Sequence, residues 1–247
     1  MNIKALCFDL DGTLMNLVEG VWLGFNALLM QLKEAGVSLD AYTAYETFVY
    51  ILLKSRIPHQ DIYLGEGAHF DSFFREIGIV NEKIREVAIK AYREAALSAL
   101  QPNPSVINVI KNLSRRYVLA LIANGRRDRI KLYMTKLGLL SYFSTIVSSD
   151  EVGYEKPSPM IYEYVIEKLG CKPYEIIMIG DDPISDIDGA NMAGMRTVLI
   201  RRSYDLEVSR PWRPLLERRG KTKPMEVIKN VMEVPRVLRE TLRKEER

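Results

Sequence analysis

The chain has two rhythms of apolar and polar positions. Residues 3–8, with the continuous apolar run Ala5-Leu6-Cys7-Phe8, predict a short buried strand, and Asp9-Leu10-Asp11-Gly12-Thr13 reads as the turn that leaves it. From about residue 18 to residue 99 the spacing is helical throughout, with Trp22, Phe25, Leu28, Leu29 and Leu32 on one face. Residues 37–53, 70–77 and 84–97 continue that pattern, broken at Gly65-Glu66-Gly67 and Gly78. No strand pattern interrupts it, so this stretch predicts an all-helical insert. Its stripe of Trp22, Phe25, Tyr45 and Phe48 reads as core rather than pocket.

Pro102 and Pro104 mark a boundary, beyond which strand-length and helix-length segments alternate. Helices are expected at 106–115, 129–137, 160–169 and 187–193, with strands at 118–122, 145–147, 176–179 and 197–200. Continuous apolar strands separated by helices imply a parallel sheet covered on both faces. The expected fold class is therefore α/β: a Rossmann-like, doubly wound parallel sheet core with a small all-helical cap domain. Residues 1–16 and 101–247 are assigned to the core and 17–100 to the helical domain. The tail from 203 is less regular, with Pro211 and Pro214 in a loop and a terminal helix from 224.

Composition adds limits. The 247 residues are 47% apolar and 27% charged, an ordinary globular balance. No apolar run is long enough to cross a bilayer, and the first residues lead into the apolar run without a small-residue cleavage site, so a cytoplasmic location without membrane attachment is expected. Cys7 and Cys171 fit two reduced thiols. The net charge of +3 is uneven, because residues 201–247 hold 14 Lys/Arg against 8 Asp/Glu. Acids at 217, 226, 233 and 240 break up this basic tail, which favours a solvated helix face over nucleic-acid binding. Nothing in the pattern fixes an oligomeric state.

Three predicted strand ends carry unusual polar groups. Asp9 and Asp11 follow the first strand, Ala123-Asn124-Gly125 the second, and Gly180-Asp181-Asp182 with Asp186 and Asp188 the 176–179 strand. A parallel sheet brings these turns to one rim. Several carboxylates gathered there repel one another unless a cation sits among them, and oxygen ligands without His or Cys suit Mg²⁺. Acidic turn residues also cap helices, and Asp182 or Asp188 taken singly reads that way.

With these residues in view, Phe8-Asp9-Leu10-Asp11-Gly12-Thr13-Leu14 resembles the first signature of the haloacid dehalogenase-like hydrolase superfamily. Glu155-Lys156-Pro157 followed by Pro159 resembles its third signature, and Gly180-Asp181-Asp182-Pro183-Ile184-Ser185-Asp186 its fourth. The helical insert resembles the type-one cap of the phosphatase branch. The resemblance implies a Mg²⁺-dependent phosphatase acting on a small phosphorylated metabolite through an aspartyl-phosphate. It makes Asp9 the nucleophile and Asp11 the general acid and base, the latter shielded enough to keep its proton. Mg²⁺ would be held by Asp9, the Asp11 carbonyl, Asp181 and Asp186, and the phosphate by Lys156 and the segment Ala123-Asn124. Ala123 departs from the pattern, since a Ser or Thr normally offers its hydroxyl there. A phosphomutase of the same branch, or a low-activity binding or regulatory member, would keep the same core residues. His59 and His69 read as ordinary exposed or capping histidines, and Arg126-Arg127-Asp128-Arg129 as a solvated helix start.

Overall fold

The computed structural model describes residues 3–54, 63–201 and 207–245. Six strands form one parallel sheet: β1 (Ala5–Phe8), β2 (Val118–Ala123), β3 (Thr145–Ser148), β4 (Ile176–Gly180), β5 (Arg196–Ile200) and β6 (Glu226–Ile228), in the order β3-β2-β1-β4-β5-β6. The strand order reverses beside β1, and the crevice at such a reversal is where α/β sheets bind ligands. Phe8 pairs in register with Leu121 on one side and Ile179 on the other, so the next residue, Asp9, emerges at the carboxyl rim between β2 and β4. Its backbone N–H donates to Ile179 O at 2.9 Å and prolongs the β1–β4 ladder.

The helices of the sheet unit are α5 (Pro104–Ser114), α6 (Arg127–Lys136), α7 (Ser149–Val152), α8 (Pro159–Leu169), α9 (Gly189–Met192) and α11 (Val234–Glu245); α10 (Arg213–Leu216), between β5 and β6 in the chain, belongs to the helical unit. One sheet face, built from Ala5, Cys7, Ala120, Ile122, Val147 and Met178, packs on Ile161, Tyr162 and Val165 of α8. The alternation sends Leu121 and Ala123 to the opposite face. Helix α5 begins at the proline boundary because Asn103 accepts from the N–H groups of Ser105 and Val106, and Pro104 needs no donor partner there.

A second compact unit comprises 17–100 together with 205–217. Its helices are α1 (Leu17–Glu34), α2 (Ala41–Lys54), α3 (Ala68–Glu76) and α4 (Glu82–Ser98). The buried stripe of α1 runs through Val18, Val21, Phe25, Leu28 and Leu32, with Trp22 and Leu29 at its margin. Phe25 and Phe48 lie 5.0 Å apart, and each packs on Phe73. Gly24 is small because the Tyr92 ring occupies the space a side chain would take.

The structure departs from the sequence expectation in five places. Residues 205–217, assigned to the core, cluster with the helical unit, because Trp212 is 1% exposed and donates its indole N–H to the Tyr45 hydroxyl at 2.9 Å. Pro211 and Pro214 sit in helical turns rather than a loop. The sheet does not end at β5, since β6 adds to its edge, and the terminal helix starts at Val234 rather than 224. The helix expected from 187 is preceded by a wider π-type turn, Pro183–Asp188.

Candidate active site

Four side chains from β1, β4 and the loop before α8 meet at the carboxyl rim. One carboxylate oxygen from each of Asp9, Asp181 and Asp186 lies within 4.8 Å of the others. Lys156 enters between two of them, its Nζ donating to Asp9 Oδ1 at 2.6 Å and to Asp186 Oδ1 at 2.6 Å. Asp9, Lys156 and Asp186 are all buried.

Close approach in this cluster depends on two glycines. Gly12 has φ +78°, and the Asp181 carboxylate lies where a side chain would project. At Gly180 that space is taken by the Asp186 carboxylate, which also accepts from Asp182 N–H at 3.0 Å. The π-type turn brings Asp186 back over the strand end. Asp182 starts it by accepting from the N–H groups of Ile184 and Ser185, and the Tyr162 hydroxyl closes it by donating to Ser185 O. Wide turns of this kind recur at functional sites.

The electrostatics follow from burial. Desolvation raises the pKa of Asp9; Lys156 opposes the rise and Asp11 adds to it. Asp181 is pushed well above the ordinary carboxylate range by burial, then by Asp9 and Asp186. Burial raises Asp186 as well, against the pull of Lys156. Burial alone would lower the Lys156 ammonium, but Asp186 and Asp9 outweigh it and hold it well above the usual lysine value. Three carboxylates around one ammonium leave two negative charges unbalanced when all are ionised. A divalent cation with a preference for oxygen would balance them, so the donor set fits Mg²⁺.

The remaining residues named from sequence are distributed as follows. Asp11 is exposed and its carboxylate stands outside the cluster of three, so the expected shielding is not seen. Asn124 uses its side chain on the Lys156 backbone, accepting from its N–H at 2.8 Å and donating to its carbonyl at 3.3 Å. That contact fixes the base of the lysine. Ala123 is buried at the end of β2. Asp182 and Asp188 are structural: Asp182 also accepts from Arg218 at 2.7 Å, while Asp188 accepts from the N–H groups of Lys221 and Thr222 at 2.7 Å each. Arg218, Lys221 and Thr222 come from the irregular tail, where no sequence pattern points to this task. Gly125 N–H donates to the Ser149 hydroxyl at 2.9 Å, another tie the sequence does not announce.

The arginine cluster is not simply solvated. Arg126 pairs with Asp128 at the surface, but Arg127 reaches Ile146 O at 2.6 Å and the Glu151 carboxylate, and Arg129 is buried. His69 is 1% exposed, in the aromatic core of the helical unit, rather than exposed or capping. His59 lies outside the described residues.

The family model described as haloacid dehalogenase-like hydrolase matches residues 6–200. The chain belongs to that family. A curated relative in Methanopyrus kandleri, a glyceraldehyde 3-phosphate phosphatase, is 32% identical over 87% of this chain and 96% of its own length. A phosphoglycolate phosphatase of Aquifex aeolicus is 30% identical over 85% of this chain and 93% of its own. Among solved structures, a haloacid dehalogenase-type phosphatase from Thermococcus onnurineus superposes with a TM-score of 0.62 at 27% identity, covering 95% of this chain and 97% of that one. As a member of the family with such relatives, this hydrolase is an enzyme of the phosphoric monoester class. Among the described residues, no helix is long and apolar enough to cross a membrane.

Proposed function

We infer that this hydrolase releases phosphate from a small phosphorylated metabolite in two displacements at Asp9, with Mg²⁺ bound at the carboxylate cluster. The observation that carries the reading is the convergence of Asp9, Asp181 and Asp186 around Lys156. When bound, Mg²⁺ supplies positive charge that lets an anionic carboxylate and an anionic phosphate approach. The Asp9, Asp181 and Asp186 carboxylates would hold it, with the Asp11 backbone carbonyl beside them.

In the first displacement an Asp9 carboxylate oxygen attacks phosphorus, the ester P–O bond breaks, and the Asp11 carboxyl gives its proton to the departing alkoxide. In the second, the Asp11 carboxylate takes a proton from water, the water oxygen attacks the phosphorus of the aspartyl-phosphate, and Asp9 is released with inorganic phosphate. Lys156 steadies the negative charge on the nucleophile and on the phosphoryl oxygens. Backbone N–H groups of the Ala123-Asn124 segment would face the phosphate. The helical unit is read as the family's type-one cap. The relatives named for glyceraldehyde 3-phosphate and phosphoglycolate support a small substrate, and the two free thiols, Cys7 and Cys171, fit a cytoplasmic setting.

Purified protein with Mg²⁺ should release phosphate from p-nitrophenyl phosphate, and Asp9→Asn should lower the rate at least about a thousandfold. Release that survives Asp9→Asn would exclude Asp9 as nucleophile.

A further inference from the structure

Resting on the phosphatase reading above, we propose that Ser148 replaces the hydroxyl missing at Ala123, holding one water against the phosphoryl group. Ala123 and Ser148 are registered partners at the last rung of the β2–β3 ladder. Partners in a parallel ladder point their side chains to the same face, about 4.8 Å apart. The residues just before them, Ile122 and Val147, both face the α8 side, so Ala123 and Ser148 share the other one.

The Ser148 hydroxyl is also uncommitted. Ser148 is 0% exposed, and its Oγ has no hydrogen-bond partner among the described residues. It stands immediately before α7, where a serine usually accepts from an N–H of the first turn, yet it makes no such bond. Its neighbour Ser149 is committed, accepting from Gly125 N–H and holding the loop that follows Ala123. A buried hydroxyl without a partner carries a desolvation penalty, so its persistence at a ligand-binding rim points to a partner from outside the chain.

Reach decides how it acts. Ser148 lies one strand farther from Asp9 than Ala123 does, too far for a direct bond to a phosphoryl oxygen on Asp9. Ala123 carries only a methyl group where a serine would carry its oxygen. A water there spans the gap with two ordinary hydrogen bonds, one to Ser148 Oγ and one donated to the phosphoryl oxygen. Ser148 is thus a positioning residue.

The test compares wild type, Ser148→Ala, Ser148→Cys, Ser148→Thr, Ala123→Ser and the double variant Ala123→Ser/Ser148→Ala. Each is assayed with p-nitrophenyl phosphate and Mg²⁺, and by its rise in melting temperature on adding Mg²⁺ with orthovanadate. Ser148→Ala should lower kcat about tenfold with little change in KM and shrink the orthovanadate shift. Ser148→Thr should retain most activity, and Ser148→Cys, which keeps the shape with a weaker donor, should fall between. Once Ala123→Ser places a hydroxyl at the rim directly, removing the Ser148 hydroxyl should cost less than about twofold. An equal loss in both backgrounds would mark a merely structural serine and overturn the proposal, as would an unchanged kcat and orthovanadate shift in Ser148→Ala. If wild type is active, Asp9→Asn is inactive and Ser148→Ala is indifferent, only the Ser148 assignment fails. A wild type that releases no phosphate sinks both.

Discussion

Each unit of this protein buries ionisable groups, and the two treat them in opposite ways. In the helical unit, His69 lies 4.5 Å from the Phe70 ring and 6.0 Å from Phe48, and burial pulls its pKa down to about 4, so it is neutral at physiological pH. In the sheet unit, Asp9, Asp181 and Asp186 are pressed together, and one lysine opposes their charge. A histidine can escape the cost of burial by giving up its proton. The three carboxylates answer burial by holding their protons more tightly, and a cation that displaces those protons finds three oxygen ligands already gathered. Burial alone therefore does not mark function; several buried acids sharing one counter-charge do.

The contrast can be broken at Lys156 first. In metal-free buffer at pH 8, Lys156→Met should lose about 3–5 kcal/mol of stability by urea denaturation, because the carboxylates lose their counter-charge. Mg²⁺ should then stabilise the variant more than it stabilises wild type; equal stabilisation would mean that the lysine does not balance the cluster.

A pH series sharpens the difference, since the two sites respond to acid with opposite signs. His69 binds its proton more weakly folded than unfolded. Its contribution is present above the ordinary 6.5 and is lost as pH falls toward about 4, by up to roughly 3 kcal/mol. His69→Phe should flatten that acid limb. Asp186 is raised from the ordinary 3.8 to about 7, so the metal-free fold binds more protons than the unfolded chain between those values. Its stability should fall as pH rises through that window, and Mg²⁺ should offset the fall. The smallest effect belongs to Trp212→Phe, which keeps most of the buried ring but leaves the Tyr45 hydroxyl without its donor, at about 1 kcal/mol in a melting experiment.

Sequence made β1 to β5 legible because parallel strands buried on both faces are written as unbroken apolar runs. It hid β6, a three-residue edge strand beginning with Glu226, whose polar start looks like loop. Asp9, Asp181 and Asp186 could be picked out because acids follow strand ends there, and Lys156 because Glu155-Lys156-Pro157 resembles a signature of the family. The supporting contacts could not. Arg218 on Asp182 and Thr222 on Asp188 join positions more than thirty residues apart through an aperiodic tail. Nothing in the sequence marks Ser148, and only the strand register and a hydroxyl without a partner among the described residues single it out. Asp11 was legible as a type of residue, while its exposure depends on how the turn folds.

The discontinuity of the helical unit bears on modular exchange. Because 205–217 clusters with 17–100, a chimaera cut only at the two ends of the long insert would transplant an incomplete module. It would strand Tyr45 beside a hole the size of an indole, while the donor core left behind kept an orphaned tryptophan. Grafts that carry both segments should fold, and the difference between the two designs gives recombination experiments their boundary.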